Sequence, residues 1–275
     1  IDCQGEPCFL TNISDAESDG DSVSLFPTLI KGLVIQNGRA EKGGCAFAHK
    51  IFSQVQIEDS LFLNCSATQM GGGLFITESV SVQLQNVSFE NNTAADAGGG
   101  IYMTATHNLM MSASTFVSNH AGSGGAIAVV ASDATSTVKP KLSVTQSTFK
   151  YNRANSIGSG DGGGAISINS GIFTSHGNLF LKNYAERDGG GLRSVRSDVS
   201  LVESVFDNNR GDNGGGIGCL SSQMEMVNVT ARNNEAGTDG GGGWFLLCSP
   251  VITSSTWVHN KAHQAGGGVY FGLYS

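Results

Sequence analysis

The side chains most able to act together chemically are the acids that stand directly before runs of glycine. Asp161 precedes Gly162-Gly163-Gly164, Asp188 precedes Gly189-Gly190-Gly191, and Asp239 precedes Gly240-Gly241-Gly242. Asn213 holds the same place before Gly214-Gly215-Gly216. Carboxylates on neighbouring segments could serve as general acid and base on a glycosidic bond, or share a divalent cation. Against this stands the plainer reading of solvated turn aspartates bonding their own backbone. Of the histidines at 49, 107, 120, 176, 259 and 263, only His259 and His263 have ligand-like i, i+4 spacing, and that pair falls across a turn rather than on a helix. No catalytic residue and no cofactor is therefore assigned. Asp161 and Asp188 are the residues a cation would take.

What must position these side chains is a repeat. An aromatic residue, an asparagine three residues on, a short polar turn, two or three glycines and an aliphatic residue recur along the chain. Phe89 to Asn92 leads to Gly98-Gly99-Gly100-Ile101, and Phe116 to Asn119 leads to Gly124-Gly125-Ala126-Ile127. Phe149 and Asn152, Phe180 and Asn183, and Phe206 and Asn209 open the next three copies. Degenerate copies put Val34, Ala231 and Trp257 in the aromatic place, followed by Asn37, Asn234 and Asn260, and Cys65 stands for asparagine after Phe62. The last residue of the glycine motif falls at 45, 73, 100, 126, 165, 191, 216, 243 and 268, giving steps of 28, 27, 26, 39, 26, 25, 27 and 25. The long step holds two polar insertions, at 131–141 and 153–161, which should loop outward.

Within a copy the apolar period is two. Leu74 and Ile76, Ile101 and Met103, and Ile127 and Val129 follow glycines; Val82 and Leu84, Leu109 and Met111, and Leu142 and Val144 precede the aromatic. Ser60, Ser114, Ser147, Ser204 and Ser255 form a column two residues before the aromatic place. Strands this short must stack on copies of themselves, and parallel crossovers are right-handed in nearly all cases. The expected fold is all-β: a right-handed parallel β-helix of about nine coils with three short strands per coil. It is expected to be one domain over 1–275 within a longer chain, with 1–32 as an entry coil. The 39 glycines and the asparagine column are read as scaffold. Glycine serves tight turns, and asparagine serves left-handed geometry and amide bonding from coil to coil.

From about Val34 to Phe271, these paired motifs resemble the polymorphic outer membrane protein repeat (GGA-I with FxxN) of bacterial surface autotransporters. Similar repeats occur in surface proteins of algae and other protists. The resemblance implies a pectin-lyase-like β-helix serving as a surface stalk, adhesin or coat component. Several copies carry GGG in place of GGA, a departure from the bacterial pattern. The same superfamily supplies the alternative of a polysaccharide lyase, a glycosidase or a glycan-binding module.

On such a fold the residue between the two inward positions after each glycine motif points outward. Phe47, Phe75 and Tyr102 stand there on three consecutive coils, and Phe245 and Tyr270 near the far end. They would stack on sugars, pack against a partner protein, or be covered by further chain. N-glycosylation sequons occur at Asn12, Asn64, Asn86, Asn91 and Asn228, of which Asn86 and Asn228 have outward parity. Six cysteines favour disulfides and an extracellular or cell-surface setting. Cys3 with Cys8 and Cys45 with Cys65 are the natural pairs. Cys219 with Cys248 requires a local bend, because an untwisted stack leaves their Cα atoms about 8 Å apart. A net charge of −8 without a run of lysine or arginine disfavours nucleic acid. No apolar run approaches the roughly 18 residues of a spanning helix. The functional expectation is a non-enzymatic structural rod whose partners are copies of itself, other surface-structure proteins, or glycans.

Overall fold

The structure is a computed structural model in which residues 1–4, 28–49, 54–132, 139–155 and 162–273 are described. Their strands form four parallel sheets of nine strands each. One coil runs Gln54–Glu58, Leu61–Leu63, Ser66–Met70 and Leu74–Thr77, and contributes one strand to each sheet. We number the sheets I to IV in that order. From first strand to last, a sheet advances about eight turns, or roughly 38 Å at the usual strand spacing. Each coil thus has four strands, not the expected three. The overlooked strand belongs to sheet III and is often two residues long, as in Thr93–Ala94. That is too short to show alternation, so it reads as part of a polar turn. Its one trace is a column of small buried residues: Ala67, Ala94, Ala121, Ala154, Ala185 and Ala236.

Each coil turns at four corners, built around single residues of positive φ. Between sheets I and II these include Asp59, Asn86, Gln146 and Asn228; between II and III, Asn64, Asn91, Ser118, Tyr151, Lys182 and Asn208; after IV, Glu78, Arg196 and Leu247. The corner ahead of sheet IV is always glycine. A Cβ on Gly189, for example, would lie 2.1 Å from the Leu192 carbonyl oxygen. The left-handed residue between II and III is the one before the column asparagine, not that asparagine itself.

The asparagines instead form a buried ladder. Asn152 Nδ2 donates to the Phe116 carbonyl and to Asn183 Oδ1, both at 3.0 Å. Its Oδ1 accepts from the N–H and the Nδ2 of Asn119, again both at 3.0 Å. The pattern repeats from Asn92 to Asn260, and the N–H of Cys65 closes it on Asn92 Oδ1. Beside it stack Phe62, Phe89, Phe116, Phe149, Phe180 and Phe206, with ring centroids 4.4 to 5.0 Å apart. Buried Ser60, Ser114 and Ser147 each bond a carbonyl two residues back and receive a backbone N–H from the preceding coil.

Two copies sit one residue away from where the motif alone puts them. In the first coil Ile35, not Val34, pairs with Phe62 and enters the core, so Gly38 rather than Asn37 takes the asparagine place. In the eighth, Gly243 pairs with Ile217 and Val269 and fills an inward slot. The glycine run is one longer than the motif, which moves its last member from 243 to 242 and makes both neighbouring steps 26, since 242−216 and 268−242 are equal. Small Ala231 and Gly243 leave room that Phe245 and Trp257 fill edge to face, with centroids 6.4 Å apart. The two insertions leave the core untouched: Ile127–Val130 pairs directly with Ile166–Asn169 across them. Positions 133–138 and 156–161, and 5–27 of the entry coil, lie outside the described residues.

Candidate functional site

The outward row of sheet IV begins with Phe47, Phe75 and Tyr102, stacked at 5.1 and 5.3 Å. Phe75 and Tyr102 are nonetheless only 5% and 8% exposed. The chain covers its own row. The residues just before the corner glycines form a ridge in which Met70 pairs with Ala97 and Ala97 with Ser123. Met70 and Ala97, with Val130, pack against the rings. Burial pushes the Tyr102 phenol above its usual pKa. Phe47 and Tyr270 are half-buried. Phe245 is not in the row at all: the shifted register puts it in the core and gives its place to Trp244. Counting forward from the first glycine of the run rather than back from the last would have found this.

Further along the same row Arg193 lies buried beside Asp188, with Nε 3.7 Å from Oδ2. Asn213 Nδ2 donates to Asp188 Oδ1 at 3.0 Å, and the Thr238 hydroxyl bonds Asn213 Oδ1 in turn. The Asp188 carboxylate is therefore matched by a guanidinium and an amide, which suits a closed structural pair better than an open cation site. Its register partner on the coil before is Gly162, so Asp161 is not its equivalent; Asp161 itself lies outside the described residues. Asp239 Oδ1 accepts the N–H of Ala265 on the next coil at 2.9 Å, a tie from coil to coil rather than a bond to its own turn. His263 faces Glu235 on the preceding coil at 3.0 Å rather than His259. Among the described residues no three metal-ligating side chains converge.

The sequons at Asn64, Asn86, Asn91 and Asn228 all fall on exposed left-handed corners, which leaves each asparagine projecting from the surface. Asn86 Nδ2 donates to Asp59 Oδ1 at 2.8 Å. Asn12 lies outside the described residues. Cys45 and Cys65 form a disulfide with Cα atoms 5.4 Å apart. Cys219 and Cys248 form another at 6.4 Å, inside the distance a flat stack would impose. Leu247, at the same left-handed corner as Glu78 and Arg196 on other coils, stands between the core strand and Cys248. No described cysteine is free, Cys3 included; Cys8 lies outside the described residues.

One surface feature has no counterpart as a run in the sequence. At the corner between sheets II and III, cations and tyrosines from successive coils gather. Arg153, Tyr184 and Arg210 are register neighbours in sheet III, with the Arg153 guanidinium 4.8 Å from the Tyr184 ring centroid. Tyr151 and Lys182 succeed one another on the corner itself, the ammonium 5.8 Å from the ring. Lys150 and Arg232 flank them on sheet II. Arg232 Nη2 meets Asp207 Oδ2 at 2.9 Å, and Arg153 lies 3.8 Å from Glu186. Burial pushes the Asp207 carboxyl up, but hydrogen bonds from Asn233 and Arg232 outweigh it and hold the group below the usual carboxylate range. His120, next to Arg153 in the row, is pushed down by burial and by that guanidinium. Successive members are 25 to 33 positions apart along the columns, so only an alignment of the copies brings them together.

Four parallel sheets, single-residue corners and axial ladders define a β-solenoid of the parallel β-helix class. Over residues 28–199 the chain matches the family described as the right handed beta helix region, and it belongs to that family, which also sets its hand. No curated protein and no solved structure matches it. No helix among the described residues is long and apolar enough to cross a membrane.

Proposed function

We propose that the protein is a non-enzymatic structural element, a rod-like component of an extracellular or cell-surface appendage, filament, coat or adhesin. The supporting observation is the continuity of its interior. The Asn92-to-Asn260 ladder and the six-ring phenylalanine stack run along the axis with the same contacts at each coil. Such repetition holds a distance and resists bending, since each coil contacts only its neighbours. Disulfides near both ends of the described stack suit an oxidising compartment. Exposed Asn64, Asn86, Asn91 and Asn228 are the positions to carry N-glycans where the source cell makes them. The finer reading as a stalk or adhesin follows the outer-membrane-type repeat.

Immunogold electron microscopy with antibodies to this chain, on cells that express it, tests the proposal. Label concentrated on filaments, stalks or a surface coat is the expected result. Label confined to the interior of the cell, or release of polysaccharide fragments by the purified chain from any member of a broad panel, overturns it.

A further inference from the structure

The corner between sheets II and III carries residues whose cost the fold itself does not explain. Asparagine occupies this corner on five of the nine coils, at Asn37, Asn64, Asn91, Asn208 and Asn233, with Ser118 and His259 on two more, and asparagine is the side chain that best tolerates left-handed backbone. On the fifth and sixth coils the corner holds Tyr151 (φ 58) and Lys182 (φ 53) instead. A bulky aromatic at positive φ is strained, and Tyr151 buries little in return, being 50% exposed. The departure coincides with the gathering of Lys150, Arg153, Tyr184 and Arg210, and with the start of the 153–161 insertion. Five cations (Lys150, Arg153, Lys182, Arg210, Arg232) face three acids (Glu186, Asp207, Glu235) there, in a chain of net charge −8.

The arrangement is interleaved. Stacking cations on adjacent strands is unfavourable, and here tyrosines separate them: Tyr184 stands between Arg153 and Arg210, and Tyr151 follows Lys150 and adjoins Lys182. Rings between cations hold positive charge close together through cation–π contact and offer apolar faces beside it. Successive rows are about 4.8 Å apart along the axis. An extended polymer lying along the rod there meets Lys150, Tyr151 and Arg153 on one coil, Lys182 and Tyr184 on the next, and Arg210 on the one after.

We infer that this corner binds an acidic polysaccharide, with Tyr151 and Tyr184 against sugar rings and Lys150, Arg153, Lys182 and Arg210 on its carboxylate or sulfate groups. The disulfides favour a polysaccharide over nucleic acid, because they place the chain where thiols are oxidised. Rings among the cations favour it over an acidic peptide. The site is distinct from the interior ladders, so it stands or falls separately from the rod.

Binding is measured by calorimetry on the intact chain with alginate, heparin, neutral dextran, poly-glutamate and single-stranded oligo-dT. Alginate or heparin should bind at least about tenfold more tightly than the other three, a difference of about 1.4 kcal/mol, and more weakly as salt rises. Loss of binding at pH 3 but not pH 7 identifies carboxylates, and binding retained at pH 3 identifies sulfates; either supports the inference. Tyr151→Asn and Lys182→Asn restore the side chain used elsewhere on the corner, so both variants should melt no lower than the parent while each binds about fivefold or more weakly. Arg39→Gln, in the same sheet III row but four strands away from Arg153, should bind like the parent. Binding unchanged in Tyr151→Asn and Lys182→Asn, poly-glutamate or oligo-dT bound as tightly as the polysaccharides, or no polymer bound at all, would each overturn it.

Discussion

Asn152 is the most exacting test of the claim that the interior ladder holds the coils together. Its side chain is fully buried and makes four hydrogen bonds at 3.0 Å. Asn152→Leu keeps the branched outline in a bulkier side chain and removes all four. The Asn119 N–H is left buried without its acceptor, at roughly 1–3 kcal/mol, and the three other bonds contribute about 0.5–1.5 kcal/mol each. Apolar gain from leucine offsets part of this, so a net loss of about 3–5 kcal/mol is expected. Urea unfolding followed by Trp244 and Trp257 fluorescence and by circular dichroism reads it as a fall in midpoint. Asn152→Asp adds a control of sign. Its second oxygen would face the Phe116 carbonyl and Asn183 Oδ1, so only the protonated acid can donate there and its folded pKa rises above the unfolded value. The folded state then holds more protons, and stability falls as pH climbs from about 4 toward the raised pKa. The aspartate variant should approach the parent near pH 4 and lose most of its stability by pH 7. A leucine variant within about 1 kcal/mol of the parent, or an aspartate variant whose deficit does not change with pH, would refute the ladder as a source of stability.

Three further outcomes follow from the same geometry. Gly189→Ala places a Cβ 2.1 Å from a carbonyl oxygen at a φ of +68 and should abolish folding or cost more than about 4 kcal/mol, whereas Gly177→Asn, at φ +64 with nothing nearer than 3.7 Å, should stay within about 0.5 kcal/mol in thermal melts. Replacing the Cys219–Cys248 disulfide, which closes 29 residues of sequence, by serines should cost roughly 3–4 kcal/mol on the chain-entropy estimate, read in non-reducing denaturant curves. The Asp207 carboxyl is held below its usual range, so its contribution is present above the unfolded pKa of about 3.9 and lost as pH falls through the folded value; Asp207→Asn should therefore be less stable than the parent at pH 7 and converge on it near pH 2.

Much of this fold can be read from residue order, and the reason is the narrowness of the demands. A corner that admits only glycine, and a core slot that admits a stacked ring, leave motifs that recur at steps near 26. What escapes is of three kinds. Strands such as Thr93–Ala94 are shorter than one period of alternation and leave no pattern. A single extra residue in a glycine run shifts the apparent register, which sent Phe245 outward on paper while its ring lies in the core. And exposure depends on what folds over a position: parity correctly turns Phe75 and Tyr102 away from the axis, but the Met70–Ala97 ridge then buries them. The basic corner is a fourth kind of case, legible only when the copies are laid over one another. Its members are scattered in sequence and adjacent in space.

A repeat protein supplies its own comparisons. Nine strands per sheet give each column several internal solutions to one physical problem, so a departure can be judged against the others. Some departures are compensated nearby. Cys65 replaces a ladder asparagine, and its disulfide to Cys45 takes over the cross-coil tie. Ala231 and Gly243 vacate core volume, and Phe245 and Trp257 occupy it. Arg193 brings a buried charge to the outward row, and Asp188 meets it. Tyr151 is different. Left-handed backbone costs a side chain with a Cβ about 1–2 kcal/mol, asparagine would lessen that cost, and the ring gains only a partial contact with Lys182. Asparagine stands there at Asn37, Asn64, Asn91, Asn208 and Asn233, with Ser118 and His259 on two more coils, and a fold under selection for stability alone would favour asparagine at 151 as well. The uncompensated column position is thus where an outside partner should be sought, and the melting behaviour of Tyr151→Asn decides the matter: a variant clearly less stable than the parent would mean that the tyrosine serves the fold after all.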